Sequence, residues 1–188
     1  MDKNITKPNQ TISSTKKLVG TAVFAALAYV VSMFEFPIFP ATPFLKLDFS
    51  AVFLLLAGFI FGTVYGLSAC FVKEFICFIT KSSTGGVGEI ANFLVIGAYI
   101  LIPTLAYRYR KGIKVVILTL IIACFVQVAL SLLVNRFINF PLYMGDYAKT
   151  FFSSVWQFVA LFNLIKSVAI SILTILLYKK LSAFIKSI

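Results

Sequence analysis

Long apolar runs separated by short polar segments dominate the chain. The uncharged runs cover residues 18–34, 49–72, 90–107, 115–135 and 150–165, and the last continues past Lys166 to Tyr178. Because a bilayer core about 30 Å thick needs roughly 20 helical residues, each run predicts a membrane-crossing helix.

The second run leaves the number of crossings open. Residues 49–80 contain only two charged side chains, Lys73 and Glu74. At about 1.5 Å per residue this stretch is too long for one upright helix. The alternatives are one long helix, giving five crossings, or two shorter helices that turn near Gly62 and Gly66, giving six.

The positions of the basic residues favour six crossings. With a cytoplasmic N-terminus, the clusters in 3–17, 108–114 and 179–186 face the cytoplasm, and Lys46, Lys81, Arg136 and Lys149 face outward. Five crossings would remove this bias, against the positive-inside rule. The sequence predicts an all-α integral membrane bundle of six transmembrane helices with both termini cytoplasmic. It forms one domain, 1–188, which includes a polar cytoplasmic N-terminal segment, 1–16.

The predicted helices leave three segments on the outer side. The helices are 17–35, 49–61, 63–80, 89–107, 113–137 and 155–181, and the outer loops are 36–48, 81–88 and 138–154. Two of these loops are long and rich in aromatic residues. Because binding residues are often carried on loops, we expect the binding site at the outer face.

Composition excludes several classes of protein. The chain is 61% hydrophobic and only 12% charged, unlike a soluble or a disordered protein. Its net charge of +11 comes from clusters that flank apolar runs, which indicates a membrane and not nucleic acid. Histidine is absent, and the three cysteines lie in apolar runs, so we expect no metal site, cofactor or disulfide. Without an activated nucleophile or paired-carboxylate motif, no enzyme is predicted.

The first outer loop has the features of a lid. Prolines at 37, 40 and 43 favour a stiff extended segment that loses little entropy on closing over a ligand. An interfacial loop with aromatic anchors is an equally good interpretation. The candidate binding residues in this loop are Phe39, Thr42, Phe44, Leu45, Lys46 and Asp48.

Polar residues at membrane depth supply further candidates. A charged residue at the bilayer centre costs about 2.5–3.5 kcal/mol on insertion scales, so such residues usually face a cavity or a partner. Glu89 and Asn92 open the fourth predicted helix, and Asn135 closes the fifth at the same level. Gln127 lies within the fifth helix, whereas Asn163 and Lys166 share one face of the last helix in its outer half. Alternatively, Lys73 and Glu74 neutralise each other, and the amides only join helices.

Small residues and glycines predict close contacts. Gly58, Gly62 and Gly66 at four-residue spacing favour packing inside the bundle, whereas the groove at Ala22 and Ala26 suits another subunit. The segment 82–89 is glycine-rich but lacks the Gly-Lys of a nucleotide-binding loop. Its helix-opening N–H groups are expected to donate to ligand oxygens.

The predicted site combines aromatic walls, amides and one or two lysines. Such a site favours a planar ligand with hydroxyls or carbonyls over a bare ion. Three segments, 44–50, 82–93 and 162–166, together with the Ala22 and Ala26 pair, resemble the riboflavin-specific substrate-binding components of energy-coupling factor (ECF) transporters. Thiamine or a pterin remains an alternative ligand. A membrane enzyme and a purely structural membrane protein are the other classes considered.

The resemblance implies a high-affinity riboflavin-binding subunit in the bacterial plasma membrane. It implies capture from the extracellular side and partnership with two ATPase subunits and a transmembrane coupling subunit, on which the chain docks through Ala22 and Ala26. On this interpretation Phe39, Phe44 and Leu45 contact the flavin ring. Asn92, Asn163 and Lys166 bond its polar atoms, and Lys46 and Asp48 fix the lid.

Overall fold

The computed structural model describes residues 13–185, and the side chains of 13–178. Most of the predicted polar segment 1–16 therefore lies outside the described residues. The helices are α1 Ser14–Ser32, α2 Ser50–Phe61, α3 Thr63–Lys81, α4 Val87–Tyr109, α5 Ile113–Val134, α6 Phe140–Met144 and α7 Ala148–Ile185. A π-helix, Asn135–Asn139, and a 3-10 turn, Gly145–Tyr147, lie on either side of α6.

The helices have the character of membrane spans. Four helical stretches are long and apolar enough to cross a bilayer: Ser14–Ser32, Thr63–Lys81, Val87–Tyr109 and the continuous stretch Ile113–Tyr178. The shorter apolar helix α2 lies between the first two. Large apolar side chains also cover the outside of the bundle, for example Leu18, Phe125 and Ile172. The chain is an all-helical membrane protein.

The break between α2 and α3 lies at Gly62, as the glycine spacing predicted. Gly62 has φ +114°, a conformation that L side chains rarely adopt. The two helices then fold back on each other at Gly58 and Gly66. A Cβ on Gly66 would lie 2.9 Å from the Gly58 Cα, so the glycines allow this close contact.

We expect Gly66→Ala to destabilise the fold by about 1–3 kcal/mol, because the added methyl would push α2 away from α3. The matched control is Gly97→Ala in α4, where the new methyl would be 3.7 Å from the Leu67 side chain, an ordinary contact. Thermal unfolding of both variants in detergent measures the difference. Equal melting temperatures would show that α2 and α3 do not need this close contact.

The prediction of a loop over residues 138–154 is wrong, because most of this segment is helical. The π-helix continues α5, α6 and the 3-10 turn reverse the chain, and α7 starts at Ala148, ahead of the predicted residue 155. Packing explains the difference. Phe140 is buried, and its ring lies 5.2 Å from that of Phe151 and 5.9 Å from that of Phe44. These contacts hold the reversal against the first outer loop.

That first loop is a small hairpin. Strands β1, Phe36–Pro37, and β2, Lys46–Leu47, pair antiparallel, a feature that the prolines did not predict. Leu45 and Leu47 are buried in a cluster with Phe140, Val159 and Phe162. The hairpin is thereby fixed over the first half of α7. The three cysteines are buried and free, as predicted.

Candidate ligand-binding site

A polar cavity of about 260 Å³ lies beneath the hairpin, between α3, α4, α5 and α7. Its size is close to the lower end of small-molecule pockets, about 300–1,000 Å³. Such a volume suits one compact molecule and excludes a folded macromolecule. Its apolar walls include Phe44, Leu45, Val95, Ile96 and Phe162.

Eight of the ten predicted binding residues line this cavity, although they come from three separate parts of the chain. They are Phe44, Leu45, Lys46, Asp48, Glu89, Asn92, Asn163 and Lys166. The hairpin and the residues before α2 supply the first four, the start of α4 supplies two, and α7 supplies the last pair. The fold thus brings the hairpin and the membrane-depth polar residues together.

The other two predicted residues, Phe39 and Thr42, do not line the cavity. The Phe39 ring packs edge-on against Phe158 of α7, with ring centres 5.6 Å apart. Thr42 is fully buried in the turn of the hairpin, where its N–H donates to the Phe39 carbonyl and its own carbonyl accepts from Leu45. Both residues hold the hairpin in shape and are turned away from the cavity.

An ion pair crosses the cavity wall between residues far apart in sequence. The Lys166 Nζ donates to Asp48 Oδ2 over 2.8 Å, and both side chains are only 4% exposed. The Ser50 N–H and hydroxyl donate to the other carboxylate oxygen of Asp48. Burial by itself would raise the pKa of Asp48, but Lys166, Lys73 and the Ser50 hydrogen bond together hold it well below its usual range. Asp48 is therefore ionised.

A second buried pair joins Lys73 and Glu74 of α3. The Lys73 Nζ lies 2.9 Å from Glu74 Oε1, and the side chains are 2% and 5% exposed. The two residues neutralise each other, as the sequence allowed. Both also line the cavity, so the pair belongs to the site as well.

Glu35 joins the hairpin to α3 at the cavity mouth. Its carboxylate accepts from Lys46 of β2 and from Lys81 of α3, each over 3.1 Å. Partial burial of Glu35 opposes its ionisation, but the two lysines lower its pKa below the usual value. Lys81 also donates to the carbonyl of Ser32, which ties α1 to the same cluster.

The glycine-rich segment before α4 satisfies its own hydrogen bonds. The N–H groups of Gly86 and Gly88 donate to the hydroxyls of Ser82 and Thr84, and both hydroxyls donate to the Glu89 carboxylate. The prediction that these N–H groups are open to ligand oxygens is therefore wrong for Gly86 and Gly88. The hydroxyls of Ser82 and Thr84 cap these N–H groups, so the N–H groups are already hydrogen-bonded within the segment.

A row of polar side chains along α5 and the π-helix that continues it forms a cavity wall, of which the sequence indicated Gln127 and Asn135 but not Ser131 or Asn139. Gln127, Ser131, Asn135 and Asn139 line the cavity at four-residue spacing. Asn139 donates to the Asn135 side chain, and Asn135 donates to the Ser131 carbonyl. Within the described residues, the buried side-chain oxygens of Gln127 and Asn139 have no hydrogen-bond partner. Such oxygens favour a ligand that donates hydrogen bonds.

The charges in the cavity balance. Four lysines and four acidic residues line it: Lys46, Lys73, Lys81, Lys166, Glu35, Asp48, Glu74 and Glu89. Seven of these eight, all but Glu89, take part in an ion pair, and the described residues contain no cluster of potential metal ligands. Because binding a charged ligand would leave one charge unbalanced in a buried site, the cavity favours an uncharged molecule.

The two alanines predicted to contact a partner lie elsewhere. Ala22 and Ala26 are exposed on α1, whereas Thr21, Ala25, Ala28 and Ser32 of the same helix are buried against the bundle. Leu18, Val19 and Leu27 are exposed on the same helix. This side of α1 is apolar and has a shallow strip of small residues.

Comparisons with known proteins agree with this architecture. The family model for ECF transporter substrate-specific components matches residues 16–178. "Riboflavin transporter RibU" of Staphylococcus aureus (strain TCH60) is 35% identical, over 94% of this chain and 96% of that protein. "Riboflavin transporter FmnP" of Bacillus subtilis (strain 168) is 29% identical, over 91% and 94%.

A solved structure is also similar over almost its full length. It is described as the S component of a bacterial ECF transporter, has a TM-score of 0.81 and is 35% identical. The match covers 93% of this chain and 99% of that one. Members of this family are membrane-embedded transport subunits and not enzymes. The protein belongs to the substrate-specific components of ECF transporters.

Proposed function

We propose that the chain captures riboflavin from the extracellular side and delivers it to an ATP-driven importer in the bacterial plasma membrane. Its partners are then a transmembrane coupling subunit and two ATPase subunits. The names of the relatives from S. aureus and B. subtilis support this ligand. The observation that carries the proposal is the charge-balanced cavity beneath the hairpin, because riboflavin has no net charge at neutral pH.

Six crossings with both termini cytoplasmic fit the helices best. The stretch Ile113–Tyr178 has 66 residues, which at about 1.5 Å each is far longer than a bilayer core of about 30 Å. It therefore crosses twice, as α5 and α7, with the reversal at α6. Helices α2 and α3, broken at Gly62, supply two further crossings. The cavity mouth and the hairpin then face outward.

The lining residues suggest how riboflavin is held. The flat ring system would lie against Phe44, Leu45 and Phe162, and the amides of Asn92 and Asn163 would bond its polar edge. Lys46, Asp48 and Lys166 would close the site from the hairpin side. Glu89 would remain available beside Asn92, whereas Phe39 and Thr42 would act indirectly by shaping the hairpin.

The row of acceptors along α5 and the π-helix would suit the ribityl chain, which carries four hydroxyl donors. Thiamine, the first alternative, has a permanent positive charge that the balanced cavity would not neutralise. A pterin has no such chain of hydroxyls. The site therefore supports riboflavin over either of these vitamins.

Uptake in cells tests the proposal. We expect a riboflavin-auxotrophic bacterium that lacks its own transporter to grow on low riboflavin when it expresses this chain with its coupling and ATPase subunits. Inactivating the ATPase subunits should abolish growth, while thiamine uptake in the same cells is unchanged. Failure to grow, with all subunits present in the membrane, would contradict the proposed function.

We expect Asn163→Ala and Gln127→Leu each to weaken riboflavin binding by about 1–3 kcal/mol, or roughly 5- to 150-fold, because each removes a buried hydrogen-bonding group. The matched control is Gln157→Leu, which changes an exposed amide on α7. Fluorescence titration of the purified proteins gives the three affinities. Wild-type affinity in both cavity variants would show that these amides only support packing.

A further inference from the structure

A second, larger cavity lies on the flank of the bundle, between the end of α5 and the start of α7. It is an open groove of about 720 Å³. Its walls are mainly apolar and aromatic, with Leu132, Phe137, Phe152 and Trp156 among them. Arg136 and Lys149 are the charged residues that line it, and no acidic side chain does so within the described part of the chain.

The two basic residues are not used elsewhere in the described structure. Neither takes part in an ion pair between described residues. The Arg136 guanidinium lies over two rings, 5.4 Å from the centre of Phe137 and 5.7 Å from that of Phe152. These contacts orient the guanidinium in the groove but leave its charge without an anion.

In the proposed topology, two basic residues without an acidic partner on the outer side are unusual. Basic residues are depleted from outward-facing segments, and four would lie there: Lys46, Lys81, Arg136 and Lys149. Lys46 and Lys81 both pair with Glu35. The remaining two converge on one open groove on the flank of the bundle.

We propose that this groove binds an anionic phospholipid of the outer leaflet. The headgroup phosphate would lie between Arg136 and Lys149. An acyl chain would extend along Leu132, Phe137 and Trp156. This inference rests on the proposed topology but not on the identity of the transported ligand.

The chain contains one tryptophan, and Trp156 lines the groove, so its fluorescence reports on the site directly. The full chain is reconstituted in phosphatidylcholine vesicles without riboflavin. Brominated phosphatidylglycerol or brominated phosphatidylcholine, which quench tryptophan on contact, is then added at matched mole fractions. Because one basic residue near a membrane surface favours an anionic lipid by about fivefold, we expect at least that preference for phosphatidylglycerol.

Two double variants test whether the preference for phosphatidylglycerol arises in the groove. Arg136→Gln with Lys149→Gln should reduce the preference to about onefold, because both charges are lost. Arg136→Lys with Lys149→Arg should keep the preference, because both charges remain. The matched control, Lys111→Gln with Lys114→Gln, removes two exposed basic residues near the other end of α5 and should also keep it. Equal quenching of the wild type by the two lipids would overturn the proposal. So would an unchanged preference in the first double variant.

The outcome of the lipid experiment does not depend on which ligand the chain transports. Lipid preference is measured without riboflavin, so it can fail while riboflavin binding succeeds, and the reverse also holds. Circular dichroism of each reconstituted variant confirms that the helices are intact. Displacement of the lipid by inorganic phosphate alone would also contradict the proposal, because the groove should need the acyl chain.

Discussion

Lys166→Met is expected to lower the free energy of unfolding by about 3–5 kcal/mol, because it leaves the Asp48 carboxylate buried without its cation. Asp48 is 3% exposed, so water cannot replace the missing partner. Riboflavin binding should fall at the same time to an undetectable level. Denaturant unfolding, followed by circular dichroism in detergent, measures the stability, and a fluorescence titration measures the binding.

A double variant separates stability from binding. Removing both charges, with Asp48→Asn and Lys166→Met, takes away the uncompensated carboxylate, and such replacements are often nearly neutral. We expect this variant to recover most of the lost stability but not the affinity. A Lys166→Met protein as stable as the wild type would show that the ion pair does not hold the hairpin on α7.

The same ion pair is itself insensitive to mild acid. The pKa of Asp48 is lower in the folded protein than in the unfolded chain, so the pair stabilises the fold fully above the ordinary aspartate value of about 3.9. That contribution is lost only as the pH falls through the lower folded value. We therefore expect the difference in melting temperature between the wild type and the Asp48→Asn, Lys166→Met double variant to be nearly constant between about pH 5 and 8. A steep change in that difference across the range would contradict this assignment.

Ala26→Trp, or Ala22→Trp, is expected to reduce riboflavin uptake at least tenfold and to leave binding by the isolated chain unchanged. Both alanines are exposed on α1, where a large ring would fill the shallow strip. Overpacking an interface by that much costs about 1–3 kcal/mol or more, enough to prevent docking of the coupling subunit. Co-purification of the subunits and uptake by whole cells measure the two effects.

The control for this pair is Ile121→Trp on α5. Ile121 is also an exposed apolar residue, but it lies on a different helix from Ala22 and Ala26. Uptake by that variant should match the wild type. If Ala26→Trp transports normally, the docking surface lies elsewhere on the protein.

Much of the site was predictable because membrane insertion penalises unpaired polar groups. Glu89, Asn92, Asn163 and Lys166 interrupt apolar runs, and the structure places all four at one cavity. The break at Gly62 was predictable for a related reason, since α2 and α3 can approach closely only at glycines. In both places the local sequence pattern was sufficient to predict the structure.

Other features depend on contacts that no local pattern contains. Asp48 and Lys166 are 118 positions apart, so their pairing is decided by how the hairpin lies on α7. The helical reversal at 138–154 is stabilised by Phe140 against rings from the hairpin and α7. For Ser131 and Asn139 a signal did exist, because they share four-residue spacing with Gln127 and Asn135.

Titration of the purified full chain with riboflavin tests the central claim most directly. A typical ligand of about 27 heavy atoms, at roughly 0.3 kcal/mol per atom, would bind with only micromolar affinity. The cavity, whose polar walls are already held by ion pairs and hydrogen bonds, predicts tighter binding than that, with one riboflavin per chain and no competition from thiamine. A folded, monodisperse protein that does not bind riboflavin, or binds thiamine equally well, would contradict it.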